Sequence, residues 1–390
     1  MQLRTAFVLS LGLLLTLGAC STMKKPEILR EAVPTAPLMA PSLQPSAWEA
    51  LPGWDQDDPA KAWGAFLESC DGLKNRLPWQ QACSAAAALN KADGPELRAF
   101  FQQYFTPYQV VNGDGSRSGL ITGYYEPLLH GSRVPTARYR YPLYGVPDDL
   151  LTVDLSSVYP ELKGMRLRGR LQGRRVVPYY SRAEIDDGQA PLKGKELLWV
   201  DNALDLFFLQ IQGSGRVRLE DGETIRVGYA DQNGYPYKSI GRLLVERGEL
   251  PLEKASLEGI KEWARQHPDK LPELLDSNAS YVFFREMPDR PGGPVGALGV
   301  PLSAGRSLAV DPRAIPLGAP VFISTTWPDS DKPLNRLMLA QDTGGAIKGG
   351  VRADFFWGFG DDAGALAGAM KQSGRLWVLL PKGYTPPKAD

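Results

Sequence analysis

A glycine-rich stretch that carries two aspartates, residues 341–357, constrains the possible fold more than any other part of this sequence. Four glycines lie between Asp342 and Asp354. The flanking segments, 336–341 and 351–357, have the composition of short β-strands. Glycine gives a loop the backbone freedom and the close approach that contact with a ligand requires. We therefore expect a strand, a loop and a second strand that present both aspartates to one cleft.

Side chains alternate between the two faces of a strand, and this alternation predicts the surroundings of Asp354. Arg352, Asp354 and Phe356 share one face of the second predicted strand. The carboxyl group of Asp354 would then lie between a cation and an aromatic ring. The alternative is that both aspartates are ordinary turn residues, and the rest of the sequence decides between these interpretations.

The first 20 residues have the pattern of a lipoprotein signal peptide. Arg4 precedes an apolar run at 6–17, and Leu-Gly-Ala-Cys ends at Cys20. The run is shorter than the roughly 20 apolar residues that span a membrane. The pattern predicts that Cys20 becomes the lipidated first residue, and Ser21 after it favours the outer membrane of a Gram-negative bacterium. The alternative is ordinary secretion with a free Cys20.

Residues 21–52 contain scattered prolines, alanines and serines with little apolar periodicity. Such a composition predicts an extended, weakly ordered tether. The tether would let the folded part reach outward from a lipid anchor, so the sequence predicts a function in the periplasm.

The overall composition excludes some classes of protein. The chain has 44 basic and 44 acidic residues, so its charge gives no reason to expect nucleic acid as a partner. It also has 41 glycines and 33 prolines among 390 residues, a combined share well above the average of about 12%. This richness favours short strands and long loops over a helical bundle.

Histidine usage argues against two common kinds of catalytic site. Only His130 and His267 occur, and they share no motif. A histidine-based zinc site or a Ser-His-Asp triad is therefore poorly supported. No cluster with metal-ligand spacing is evident, and we expect no cofactor.

Cys70 and Cys83 are the other two cysteines of this predicted exported chain. An oxidising compartment favours pairing, and a bridge would close a loop of about 14 residues. We therefore predict a disulfide, with two buried free thiols as the alternative.

Hydrophobic periodicity predicts mostly β-structure with a few helices. Strands are predicted at 120–127, 196–200, 206–212, 217–219, 224–229, 281–286, 318–325, 336–341, 351–357 and 375–380. Helices are predicted within 48–89 and at 95–104, 239–247 and 257–266, and from Asp361 or Asp362 through Met370, with Gly374 as the stop. The C-terminal strands and their glycine-rich loops are consistent with a small closed barrel.

Four motifs in this order resemble the membrane-bound lytic murein transglycosylase A (MltA) family. They are Gly-Tyr-Tyr-Glu-Pro at 123–127, Gln-Ile-Gln-Gly-Ser-Gly at 210–215, Tyr-Val-Phe-Phe-Arg at 281–285, and the two-aspartate stretch ending Ala-Asp-Phe-Phe-Trp-Gly at 358. The resemblance covers roughly residues 97–381. It ends in the family's three-aspartate (3D) domain at about 300–381, here with Asp311, Asp342 and Asp354.

The resemblance implies a mainly β fold of two domains. A double-psi β-barrel would be formed by residues 53–145 together with 287–385, and residues 146–286 would form an inserted β domain. A few helices would lie at the periphery, and the substrate cleft would lie between the domains.

The resemblance also implies an enzyme that binds peptidoglycan glycan strands. It would cleave the β-1,4 bond from N-acetylmuramic acid to N-acetylglucosamine without water and leave a 1,6-anhydromuramoyl end. Asp354 maps to the acid/base, and Asp342 maps to a second acidic residue. The expected substrate-binding residues are Tyr125, Glu126, Gln212, Ser214 and Lys348.

Two other classes of protein stay open at the level of sequence. An inverting β-glycan hydrolase would use Asp342 and Asp354 as an acid and base pair and would release a reducing end. A non-catalytic lipoprotein that binds the cell wall would tolerate the loss of either aspartate.

Overall fold

The structure is a computed structural model that describes residues 40–89, 93–162, 165–288, 292–384 and 386. Within these ranges the α-helices are α1 (Ala60–Leu73), α2 (Leu77–Ala88), α3 (Gly94–Tyr104), α4 (Arg182–Asp186), α5 (Ala203–Gln212), α6 (Ile240–Glu246), α7 (Leu257–Gln266), α8 (Leu271–Asp276) and α9 (Asp361–Ala369). The first strands are β1 (Ser42–Pro45), β2 (Phe105–Val111), β3 (Gly119–Glu126), β4 (Leu128–Ser132), β5 (Tyr141–Tyr144), β6 (Leu151–Thr152), β7 (Arg168–Gln172) and β8 (Arg175–Pro178). The remaining strands are β9 (Glu196–Val200), β10 (Ser214–Leu219), β11 (Thr224–Gln232), β12 (Val282–Met287), β13 (Ser307–Val310), β14 (Pro320–Thr326), β15 (Pro333–Asp342), β16 (Ala353–Phe359) and β17 (Lys371–Pro381).

The predicted signal peptide, Cys20 and the tether up to residue 39 lie outside the described residues. No helix of the described part combines the length and the apolar character that crossing a membrane requires. The end of the predicted tether is not loose, because β1 pairs antiparallel with β2. The prediction of a tether up to residue 52 is therefore wrong for this end, where backbone pairing to the sheet overrides the proline-rich composition.

The larger sheet joins the two ends of the described chain. Its strand order is β1-β2-β17-β14-β15-β13-β16-β3, and β17 also pairs with β3. This additional pairing closes six strands, from β17 round to β3, into one circuit of neighbours. The pairs β13 with β15 and β16 with β3 are parallel. Parallel neighbours require long crossover connections, so residues far apart in sequence become adjacent here.

The middle of the chain forms a second sheet with the order β12-β11-β10-β4-β9-β5, and β6, β7 and β8 form a third. The chain passes from the first sheet to the second at Pro127, which lies between β3 and β4. Proline has no N–H to continue the ladder of β3. β4 and β5 therefore pair within the second sheet, although both precede residue 146.

The N-terminal helices cover the larger sheet and hold β15 in place. Phe66 of α1 and Phe101 of α3 are fully buried against it. The Gln341 side chain donates from Nε2 to the Ala65 carbonyl oxygen at 2.8 Å and to Ser69 Oγ at 2.9 Å, both on α1. Because Asp342 directly follows Gln341, this buried network fixes the end of the strand that carries Asp342.

The predicted strand at 206–212 is wrong, because these residues belong to α5. Asn202 caps the start of the helix by accepting from the Leu204 and Asp205 amides at 2.9 and 3.1 Å. Gly213 ends it with a left-handed φ of 77°. Short apolar runs fit a buried helix as well as a buried strand, and the two end caps decide between them here.

The structure also corrects the predicted ends of the last helix, α9. Its N-cap is Gly360, and no side chain of Asp361 or Asp362 caps it. Gly374 does not stop the helix but lies in β17, opposite Gly119. A Cβ atom on Gly374 would lie 2.6 Å from the Ile121 side chain, so close strand packing explains this glycine.

The predicted disulfide is confirmed, because Cys70 and Cys83 are bonded and join α1 to α2. The bridge spans 13 positions in the sequence, and closing a loop of this size stabilises a fold by about 3 kcal/mol. We expect reduction with dithiothreitol to lower the melting temperature by several degrees. Calorimetry with and without reductant measures this shift, and a Cys70→Ser, Cys83→Ser double variant should show the same shift without reductant. An unchanged melting temperature in both would contradict this assignment.

Candidate active site

The short strand β13 brings the two aspartates of the glycine-rich stretch together. Ala309 is paired with Asp342 of β15 on one side and with Asp354 of β16 on the other. Neighbouring strands lie about 4.8 Å apart, so the Cα atoms of the two aspartates are roughly 10 Å apart. Two acidic residues that the sequence places at the ends of one loop therefore border one site.

The carboxyl group of Asp354 combines burial with a single strong hydrogen bond. Thr122 Oγ1 on β3 donates to Asp354 Oδ1 at 2.6 Å. The residue retains some exposed surface, while protein atoms surround its carboxyl group. Burial raises the pKa of Asp354 to about 6, although the Thr122 hydroxyl and Arg352 oppose this shift. Burial therefore outweighs the neighbouring cation, and a pKa of about 6 leaves about one molecule in ten with a protonated Asp354 at pH 7.

Asp342 is held by two donors at the opposite side of the site. The Ala297 amide donates to Oδ1 at 2.9 Å, and the Tyr124 hydroxyl donates to Oδ2 at 3.1 Å. Burial raises the pKa of Asp342 above its ordinary value, and these donors, with the Thr343 amide, partly oppose the shift. Burial, followed by the nearby charges of Asp342 and Asp354, raises the pKa of Tyr124 well above its ordinary value. Tyr124 is therefore a neutral donor between the two carboxyl groups.

Asp311, the third aspartate, has a different environment. Arg313 donates to both of its oxygens, at 3.0 and 2.7 Å, and the Gly349 amide donates at 2.9 Å. Burial alone would raise the pKa of Asp311, but these hydrogen bonds lower it to about 2. Asp311 is therefore ionised near neutral pH, and its hydrogen bond with the Gly349 amide fastens the glycine-rich loop that joins Asp342 to Asp354.

Strand β3 supplies two site residues that the sequence reasoning did not select. Thr122 and Tyr124 contact the aspartates, whereas Tyr125 points to the other face and packs against Ala363 and Ala367 of α9. The period-of-two alternation along β3 was the signal that separates Tyr124 from Tyr125. This alternation identifies the site residues only when it is known which face of β3 lies next to Asp354.

Glu126, a predicted substrate-binding residue, is an ion-pairing residue between the two larger sheets. Its side chain is 1% exposed and lies 2.9 Å from the Arg216 guanidinium and 3.6 Å from that of Arg226. Arg216 and Arg226 belong to β10 and β11 of the second sheet. The carboxylate of Glu126 therefore joins the end of β3 to the second sheet.

The other predicted substrate-binding residues are spread around the site. Gln212, at the end of α5, accepts a hydrogen bond through Oε1 from the Tyr125 amide at 3.2 Å. Ser214 begins β10 and is partly exposed, and Lys348 is exposed in the glycine-rich loop. Gln212 thus lies directly against β3, while Lys348 extends from the loop between the aspartates.

Two family models match the chain over the parts that build this site. Residues 120–285 match the MltA specific insert domain, and residues 306–380 match the 3D domain. The first match begins in β3 and ends in β12. The second contains β13, β15 and β16, and so it includes all three aspartates.

Known proteins resemble the chain over most of its length. The membrane-bound lytic murein transglycosylase A of Escherichia coli K12 is 34% identical over 329 residues, which cover 81% of each chain. The crystal structure of MltA from Neisseria gonorrhoeae has a TM-score of 0.77 and 43% identity, covering 89% of this chain and 94% of that one. The structure of E. coli MltA with bound chitohexaose has a TM-score of 0.66 and 28% identity, covering 90% of this chain and 95% of that one. The chain therefore belongs to the membrane-bound lytic murein transglycosylase A family.

Proposed function

We propose that the chain cleaves the β-1,4 bond from N-acetylmuramic acid to N-acetylglucosamine in peptidoglycan, with the C6 hydroxyl of the muramoyl residue as the attacking group. The observation that carries this proposal is the buried carboxyl group of Asp354, whose pKa burial raises, beside a second acidic residue. The family supports the reaction. E. coli MltA has been crystallised with chitohexaose, and glycan strands of peptidoglycan are the substrate class proposed for this chain.

In this mechanism Asp354 acts first as an acid and then as a base. The protonated carboxyl group gives its proton to the glycosidic oxygen as the bond from C1 to that oxygen breaks. The resulting carboxylate takes the proton of the C6 hydroxyl while O6 bonds to C1. One carboxyl group thus performs both transfers, water is not consumed, and the muramoyl product is a 1,6-anhydro sugar.

Asp342 acts as the second acidic residue in this proposal. The negative charge of Asp342 favours the protonated form of Asp354. The Tyr124 hydroxyl and the Ala297 amide both donate hydrogen bonds to the Asp342 carboxylate. We assign it to positioning the substrate and to stabilising positive charge on the sugar ring. A neutral Tyr124 keeps the carboxylate oriented for this role.

The pH dependence of the reaction tests the role of Asp354. Because the acid form is required, we expect kcat/KM to be highest below a pKa of about 6 and to fall as pH rises through it. Thr122→Val removes the hydroxyl that lowers the pKa, so the falling limb should move to higher pH, whereas Thr122→Ser should leave it in place. A limb that responds equally to both substitutions would contradict this assignment.

We further propose that the six-stranded closed circuit is a double-psi β-barrel, with the inserted β-structure beginning at β4. The two parallel pairings within the circuit support this topology. The glycan would then lie between the first and second sheets. Gln212, Ser214 and Lys348 are the residues that we expect to contact it.

The proposed location is the periplasmic face of the outer membrane, with lipid attached to Cys20. The Leu-Gly-Ala-Cys sequence supports this location, as does the membrane-bound name of the E. coli relative. A lipid anchor on Cys20 would hold the enzyme close to the cell wall, which contains its polymeric substrate.

A further inference from the structure

A cavity lies apart from the two aspartates. It has a volume of about 550 Å³ and lies between the segment before α1 and the start of β15. Its polar walls include Asp57, Asp58, Lys61, Arg306, Asn335 and Arg336. The volume is in the range of small-molecule sites, which is about 300 to 1,000 Å³. Neither Asp342 nor Asp354 lines this cavity, so it does not belong to the site described above.

Most of the charges in the cavity wall are already matched. Arg306 donates to both oxygens of Asp57 at 2.9 and 3.0 Å, and both side chains are buried. Asp57 also accepts from the Leu337 amide at 2.7 Å. Lys61 and Asp58 form a loose, exposed pair at 3.9 Å. These two pairs therefore leave no net charge.

Arg336 is the charge that remains. Among the described residues it forms no ion pair, and its hydrogen bond to the Gly305 carbonyl oxygen is long, at 3.4 Å. Its guanidinium lies over the rings of Trp327 and Phe355, at 5.5 and 5.6 Å from their centres. Burial, and then the charge of Arg306, lower the pKa of Arg336, and the charge of Asp57 partly opposes this shift. The rings thus hold a cation at the cavity wall without neutralising it, an arrangement that an anion would stabilise.

We propose that this cavity binds the terminal carboxylate of a short peptide through Arg336. A guanidinium matches a carboxylate with two parallel hydrogen bonds. One unmatched positive charge suits a monoanion, whereas a dianion such as phosphate would leave one negative charge without a counter-charge in the wall. The volume admits more than acetate, so the carboxylate would belong to a ligand the size of a dipeptide.

Two sources could supply such a carboxylate: the stem peptides of peptidoglycan, or the C-terminus of a protein. The stem-peptide source rests on the proposed function. It is favoured by position, because the Gly305 amide in the cavity wall donates to the Phe356 carbonyl oxygen at 2.7 Å. Phe356 is two residues beyond Asp354, about 7 Å along β16. The cavity therefore borders the strand that carries the proposed acid.

The test is a calorimetric titration of the full-length chain in detergent micelles, carrying Asp354→Asn so that no substrate is consumed. The probes are N-acetyl-alanyl-alanine, its C-terminal amide and inorganic phosphate. We expect the free acid to bind at least about tenfold more tightly than the amide, because charge-assisted hydrogen bonds are lost in the amide. Phosphate should bind more weakly than the acid. Equal binding of acid and amide, or tighter binding of phosphate, would overturn the proposal.

Substitutions then locate the binding. Arg336→Met should weaken binding of the acid at least about tenfold, and Arg336→Lys should weaken it less because the charge remains. Arg375→Met is the matched control, since Arg375 also lies over a tryptophan ring, Trp377, but outside the cavity. Unchanged binding in Arg336→Met would overturn the proposal, and the comparison of acid with amide holds even if that variant fails to fold.

The same titration separates the two sources. A muropeptide should bind more tightly than the peptide-free disaccharide, and Arg336→Met should remove the difference, if stem peptides are the natural ligand. Equal binding of muropeptide and disaccharide, with the dipeptide still bound, would assign the cavity to a protein C-terminus. These measurements detect binding and not product, so their failure would leave the mechanism at Asp354 untouched.

Discussion

We expect Asp354→Asn to lower the rate of anhydromuropeptide formation by about 10² to 10⁴-fold, the range that a general acid or base contributes. Asparagine has nearly the same shape, and it can still accept the 2.6 Å hydrogen bond from Thr122. It cannot give a proton to the leaving oxygen or take one from the C6 hydroxyl. Binding of the glycan should persist. The measurement is the initial rate of product release from purified peptidoglycan, together with a sedimentation assay for binding.

Asp342→Asn is the matched comparison for this result. Both aspartates are buried carboxyl groups with raised pKa values, so both substitutions remove a similar desolvation penalty and their melting temperatures should change in the same direction. The rate should fall less in Asp342→Asn, because the proposed mechanism assigns Asp342 to positioning the substrate and gives it no proton to transfer. A more severe loss in Asp342→Asn than in Asp354→Asn would reverse the assignment of roles.

Glu126→Gln should destabilise the fold by about 3 kcal/mol, at the lower end of what breaking a buried ion pair causes. The carboxylate of Glu126 is almost fully buried, and Arg216 is one-quarter exposed. Glutamine removes the negative charge with which the guanidinium groups of Arg216 and Arg226 pair. Chemical denaturation, with the midpoint and slope fitted together, measures the loss.

Glu286→Gln provides the control for that measurement. Glu286 pairs with Arg133, and both side chains are substantially exposed. Exposed pairs contribute less than about 1 kcal/mol, so the control should unfold close to the unmodified chain. If Glu126 instead bound substrate, as the sequence suggested, Glu126→Gln would raise KM and leave the midpoint unchanged.

Much of the β-structure was predictable from periodicity and turn residues alone. The strand predictions at 120–127, 196–200 and 224–229 match β3, β9 and β11 within a few residues. The helix predicted at 257–266 has the bounds of α7. In these elements local composition and tertiary packing favour the same structure, and the prediction succeeds for that reason.

The elements that the sequence did not predict depend on contacts between distant residues. The composition of residues 206–212 is compatible with a strand, and the caps at Asn202 and Gly213 make it a helix. Residues 42–45 contain a proline and have no clear strand pattern of their own, but they form a strand because they pair with β2. Neither outcome follows from a local window of sequence.

The candidate site was predictable only in part, because some of its residues also come together through contacts between distant segments. The glycine-rich stretch identified Asp342 and Asp354, because both lie in one short segment. Thr122 and Asp354 are 232 positions apart in the sequence, and the parallel pairing of β3 with β16 brings them into hydrogen-bond contact. Only the register of β3 against β16 decides that Thr122 faces the site while Tyr125 faces α9. The environment of Asp311 likewise depends on a residue distant in sequence, because the Gly349 amide donates a hydrogen bond to its carboxylate.

Mass spectrometry of the muropeptides released from purified peptidoglycan tests the central claim most directly. Attack by the C6 hydroxyl predicts muropeptides lighter by one water molecule than the corresponding hydrolytic products. Release of the heavier products with a reducing end would contradict this mechanism, because water would then be the attacking group and Asp342 would become the candidate base.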